Sequence, residues 1–150
     1  MLVRTTMILC FSLLIATPCF ASGAGVYNLD KTAMLAKMKK KMAKLPKTKK
    51  RFAQMGVAML KSMTMRMTLK KDGKAEMYAK VVFMGKQREQ SATGTWKMEK
   101  GKLHLTTTAT SKKTKKTKTS KIECTPNGKQ IYCVNLSTKR KSELVFIKTK

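Results

Sequence analysis

Acidic residues are scarce in this sequence: seven Asp and Glu stand against 34 Lys and Arg, for a formal net charge of +27. No two of the seven fall at a spacing that would make a general acid and base pair. There is one histidine, His104, and strand alternation puts it on the face opposite Leu103 and Leu105, toward solvent. No serine or cysteine nucleophile motif and no phosphate-binding loop accompanies it, so neither a catalytic triad nor a zinc ligand set can be assembled. Those absences predict a protein that is not an enzyme and carries no metal or cofactor. Aromatic residues are also few, 6% of the chain, and none interrupts the densest lysine run. A stacking platform for single-stranded nucleic acid is thereby excluded. No apolar run approaches the roughly twenty residues of a membrane-spanning helix.

The longest apolar run lies near the start. Arg4 provides a positive flank, Met7–Ala16 an apolar stretch, Pro18 a break, and Cys19-Phe20-Ala21 a small-x-small cleavage pattern. Residues 1–21 are therefore expected to be a secretory signal peptide, and the protein to be exported, periplasmic or secreted. Cleavage would remove Arg4 and lower the charge of +27 by one. Nearly all the remaining basic residues are lysines, hydrated point charges suited to bulk attraction rather than to bidentate recognition. Cleavage would also remove Cys10 and Cys19. A lipid anchor is not expected, since Pro18 and Leu9 precede these cysteines where a small residue is required. Cys124 and Cys133 remain, flanking Asn127-Gly128. A hairpin turning at 127–130 would set them opposite each other, and an oxidising compartment favours a disulfide over free thiols in a redox or metal role.

Along the rest of the chain, Asp30 reads as an N-cap for a helix reaching about Leu45, with Met34, Met38 and Met42 at four-residue spacing. Pro46 interrupts. A second helix is expected from about Thr48 to Ser62, its apolar stripe formed by Phe52, Met55 and Met59, with Val57 and Leu60 alongside. From Met63 the period falls to two. Met65, Met67 and Leu69 alternate with polar residues, then Met77, Ala79, Val81 and Phe83 do the same. Further strands are expected at Ala92–Glu99, Leu103–Thr107, Lys118–Cys124, Ile131–Val134 and Leu144–Lys148, punctuated by Asp72-Gly73, Gly85-Lys86, Lys100-Gly101 and Asn127-Gly128. The expected fold is α+β, mainly β. Two N-terminal amphipathic helices (22–62) pack on a seven- to eight-stranded antiparallel meander (63–150) that curls into a barrel or half-barrel, the two parts forming one compact domain.

The stretch Ala92-Thr93-Gly94-Thr95-Trp96-Lys97-Met98-Glu99-Lys100-Gly101-Lys102-Leu103 resembles the Gly-Thr-aromatic, turn, Leu-x-Leu hairpin of small bacterial exported lipocalin-like domains. The Cys124–Cys133 hairpin and the closing Leu144-Val-Phe-Ile-Lys strand are similar to that group as well. In lipocalins proper the Gly-x-Trp opens the first strand, whereas here it lies in a middle one. The resemblance implies a barrel and transfers no ligand.

Two compositional features bear on function. Of 13 methionines, Met63, Met65 and Met67 share one strand face. Thioethers are soft ligands for Cu(I), but these residues sit on the stripes assigned to the core, where methionine is a flexible filler. The lysine clusters are the stronger signal. Lys112, Lys113, Lys115, Lys116 and Lys118 form a Thr-interleaved run on an expected hairpin tip, and Lys139, Arg140 and Lys141 a second cluster. They predict electrostatic association with anionic lipid, lipopolysaccharide or another polyanion of the envelope or extracellular space, with nucleic acid bound only non-specifically. An alternative is a lipocalin-like carrier holding a small hydrophobic ligand in a cavity lined by Met65, Met67, Phe83, Trp96 and Leu105. A third is a cationic protein that disrupts membranes with its Met/Lys helices.

Overall fold

The computed structural model describes residues 23–111, 115–139, 141 and 143–149. The expected signal peptide, residues 1–21, lies outside them, as do Lys112, Lys113 and Arg140. Eight strands form one closed antiparallel barrel in chain order: β1 (Gly25–Leu29), β2 (Thr64–Leu69), β3 (Lys74–Phe83), β4 (Lys86–Glu99), β5 (Lys102–Thr110), β6 (Thr117–Asn127), β7 (Gln130–Asn135) and β8 (Glu143–Lys148). Helices α1 (Lys31–Ala43) and α2 (Lys47–Ser62) are inserted between β1 and β2. The barrel and the two amphipathic helices are as the periodicity predicts, and the architecture is compatible with a lipocalin-like barrel.

The order of elements needs one correction. A strand precedes the helices, and it closes the barrel by pairing Tyr27 with both Met67 and Lys148. This five-residue segment, Gly-Val-Tyr-Asn-Leu, is too short to show a period. A second correction lengthens β4, which begins at Lys86 rather than Ala92. Its first residues, Lys-Gln-Arg-Glu-Gln-Ser, carry no apolar alternation because they lie beyond the barrel body, paired with β3 alone. Two-residue connections tighten the meander. Met84-Gly85 and Lys100-Gly101 take positive φ at both positions, the turn hand that matches the right-handed twist of paired strands.

The two barrel ends differ. At one, Tyr27, Leu69, Ala75, Trp96 and Leu103 are buried together. The Trp96 indole N–H donates to the Lys70 carbonyl (2.8 Å), and the Tyr27 hydroxyl donates to the Gly23 carbonyl (2.9 Å). Gly23 lies so near the indole that a Cβ there would sit 2.8 Å from a ring carbon. That end is sealed by packing.

At the other end the helix pair crosses the rim where β1 stops and β2 begins. Asp30 caps α1 as expected, its carboxylate accepting the Ala33 N–H at 2.9 Å and the Gln130 amide at 2.7 Å. α1 lies beside β7 and β8, with the Lys37 ammonium 4.7 Å from the Tyr132 ring centre and paired with Glu143. α2 lies beside β3, through the Ser62 hydroxyl on the Val82 carbonyl (2.6 Å). A third correction concerns the α2 stripe. Phe52, Met55 and Met59 face solvent, 77%, 46% and 39% exposed, and only Leu60 of the helix is buried. The helix has two apolar arcs, and the one that contains Leu60 meets the core.

Candidate ligand cavity and basic surface

Alternation along each strand sends every second side chain inward, and near the sealed end these side chains fill the barrel. Toward the rim they become smaller or more flexible: Met65, Ala79, Ala92 and Ala109 replace Leu69, Trp96 and Leu103. The result is a cavity of about 180 Å³ above the packed core. Met67, Met77, Ile122, Phe146 and the Cys133 end of the disulfide line its deeper part. Gln90, Lys118, Ser120 and Asn135 bring polar groups to it, and Lys118 is the one ionisable residue among the lining side chains. An apolar interior with a cation on its wall suits a molecule that is oily along most of its length and negative at one end.

The rim is split on the side away from the helices. β4 and β5 pair from Glu99↔Lys102 up to Thr93↔Thr108 and no further. Beyond that point β4 continues with β3, and β5 with β6, as two separate hairpins. Between them lies a larger open cleft of about 1420 Å³, bordered by Met63, Met65, Arg88, Gln90 and Thr110 among others. Met65, Ala79, Gln90 and Ala92 border both spaces, so cleft and cavity adjoin.

Every described carboxylate has a local partner. Asp30 caps α1, and Asp72, Glu76, Glu89, Glu99, Glu123 and Glu143 pair with Lys74, Lys70, Lys80, Lys97, Lys102 and Lys37. The hydrogen bond from Lys102 holds the Glu123 carboxyl below the usual carboxylate range, and Lys97 does the same for Glu99. The backbone N–H of Lys74 lowers Asp72 in the same direction. Among the described residues, Lys115, Lys116, Lys118 and Lys139 of the expected polyanion site form no ion pair, whereas Lys141 acts electrostatically on the Glu123 carboxylate. Lys115, Lys116 and Lys118 lie on or beside the β5–β6 tip, and Lys139 and Lys141 in the β7–β8 connection, all exposed. That connection is laid on β6: Leu136 N–H donates to the Lys121 carbonyl and Lys121 N–H to the Ser137 hydroxyl, both at 2.8 Å. The two clusters therefore belong to the same end of the barrel.

The expected cavity residues divide. Met65 and Met67 line the cavity. Leu105 is buried in the core, Trp96 sits in the sealed end, and Phe83 stands on the β3–β4 hairpin past the rim, 38% exposed. Alternation identifies the inward face but not the depth along the barrel. Met77, Ile122, Leu144 and Phe146, which also line the cavity, carry the same alternating signal on β3, β6 and β8. His104 is half-buried on the outer face of β5 rather than fully exposed.

The disulfide joins Cys124 and Cys133, directly opposed on β6 and β7 with Cα atoms 4.0 Å apart. Among the described residues no helix is long and apolar enough to cross a membrane. No protein-family model, no curated protein and no solved structure matches the chain.

Proposed function

We propose that this chain is an exported, non-enzymatic carrier of a small amphipathic anion, and that it belongs with lipocalin-like barrels. The apolar part of the ligand lies against Met65, Met67, Met77 and Phe146, and its acidic head meets Lys118. The observation that carries this reading is the composition of the cavity wall, apolar at depth with one lysine and no carboxylate. A ligand of this kind enters through the split between the β3–β4 and β5–β6 hairpins. Calorimetric titration with decanoate, decanol and decyltrimethylammonium tests it. Decanoate is expected to bind best and the cation worst, with Lys118→Met abolishing the preference. Equal affinity for all three head groups, or no binding of any, overturns it. Trp96 is a poor reporter for such titrations, because it is packed in the sealed end.

A second reading is favoured by the exposed lysines at the rim. Lys115, Lys116, Lys118, Lys139 and Lys141, with Lys112, Lys113 and Arg140 beside them in sequence, hold the protein on lipopolysaccharide or another anionic polymer. Such binding falls steeply with added salt and is indifferent to polymer sequence. Heparin retention that survives high salt would count against it.

A further inference from the structure

Of the large apolar side chains that stand in solvent among the described residues, all but Leu136 fall into two groups. One is the stripe on α2, Phe52, Met55 and Met59, at i, i+3 and i+7. The other is the tip of the β3–β4 hairpin, where Val82 and Phe83 are 39% and 38% exposed and Met84 is 81% exposed. The groups adjoin. One hydroxyl, that of Ser62, lies within hydrogen-bond distance of both the Met59 carbonyl (2.9 Å) and the Val82 carbonyl (2.6 Å). Clustered exposed apolar side chains of this size are uncommon on a soluble protein without an interaction partner.

The surrounding charge identifies the partner. From Lys31 to Met63 the chain has eleven Lys and Arg and no Asp or Glu. Of these eleven, only Lys37 takes a carboxylate partner among the described residues. Lys47, Lys49, Lys50 and Arg51 precede the stripe, Lys61 follows it, and Lys86 flanks the hairpin tip. A soluble polyanion would satisfy the lysines and leave Phe52 and Met84 in water. A sheet of anionic lipid offers phosphate at the surface and hydrocarbon just beneath, which matches both components at once.

We propose that α2 and the β3–β4 tip form a docking face for an anionic lipid bilayer, with Phe52, Met55 and Met84 entering the interfacial layer and the basic residues around them on the head groups. The face belongs to the same end of the barrel as the cleft, and Lys86 lies both beside the hairpin tip and on the border of the cleft. The proposal does not depend on the cavity holding a ligand.

The test uses protein beginning at Ser22, which contains all eight strands and both helices. Sedimentation with vesicles of phosphatidylcholine, with and without phosphatidylglycerol, is compared with heparin retention. Binding is expected only to the vesicles containing phosphatidylglycerol. The triple variant Phe52→Ser, Met55→Ser, Met84→Ser removes side chains already in solvent, and circular dichroism checks its fold. It is expected to lose about tenfold or more in vesicle partitioning while keeping its heparin retention and its decanoate binding. A Phe52→Trp variant is expected to show blue-shifted emission with the anionic vesicles and none with heparin. Wild-type partitioning by the triple variant, or an unshifted Trp at position 52 on vesicles, overturns membrane docking. A failure of decanoate binding alone would overturn the carrier reading and leave this one standing.

Discussion

The Trp96 indole N–H donates to the Lys70 carbonyl at 2.8 Å, and the Trp96 backbone N–H donates to the Gly73 carbonyl at the same distance. One β4 residue thus holds both ends of the β2–β3 turn and seals the barrel below the cavity. Replacing it with phenylalanine keeps most of the packing and removes one of two donors from the Lys70 carbonyl, which keeps the Gly73 N–H at 3.1 Å, at a cost of about 0.5–1.5 kcal/mol. Trp96→Ala adds a cavity and is expected to cost about 3–5 kcal/mol. Urea melts give both values. Decanoate affinity under folding conditions should be unchanged in Trp96→Phe, since the cavity lies beyond the packed core.

At Gly94 the β4 backbone lies close against β5. A Cβ there would lie 1.8 Å from the Thr106 carbonyl oxygen and 2.8 Å from the Thr107 Cα, so backbone rather than a flexible side chain would have to move. Gly94→Ala is expected to unfold the protein or destabilise it by about 3 kcal/mol or more, in the range of severe core strain. Gly101→Ala serves as its control. That glycine has φ +75° but open space around it, and about 1 kcal/mol of backbone strain is expected. Equal melting temperatures for the two variants would contradict this account.

The disulfide closes a short loop, with a sequence separation of 9 between Cys124 and Cys133. Chain-entropy arithmetic for so short a loop gives about 2.7 kcal/mol. Both residues are buried, so the double alanine variant also loses some packing. Its urea midpoint should fall below that of wild type, and reductant should lower the wild type while leaving the variant unmoved. Insensitivity of the wild type to reductant would show that the bridge contributes nothing.

Much of the barrel is legible in the sequence because its local signals agree. Period-two runs end at Asp72-Gly73, Gly85-Lys86, Lys100-Gly101 and Asn127-Gly128, and each turn restricts which strands can pair. β1 is invisible because five residues cannot establish a period, and it is defined by its neighbours Met67 and Lys148 rather than by itself. The α2 stripe is a different case. Helical periodicity reveals that Phe52, Met55 and Met59 share a face, but the direction of that face depends on how α2 leans on β3 and α1. Burial of Leu60 decides the matter. The cavity shows the same division between local and global information. Inward positions such as Met65 and Met67 follow from alternation, whereas the role of Lys118 on the cavity wall depends on its level along the barrel. In sequence it is one lysine of a basic run.

The carboxylates carry a pH prediction. The fold holds Asp72, Glu99 and Glu123 below the ordinary carboxylate range, through the Lys74 backbone N–H, Lys97 and Lys102 respectively. A lowered folded value means that the ionised form is favoured by folding. The stabilisation is therefore present above the ordinary carboxylate range and is lost as pH falls through the lowered values. Protonation also removes negative charge from a chain already at +27, so self-repulsion grows as the ion pairs disappear. Melting temperature is expected to hold steady near about pH 7 and to fall progressively toward about pH 3. Glu123→Gln should start lower than wild type at neutral pH and fall less on acidification, because one of the groups responsible has been made unable to titrate. Added salt should lessen the acid loss by screening the repulsion between lysines. A wild-type melting temperature that stays level down to about pH 3 would show that these surface pairs contribute nothing to the fold.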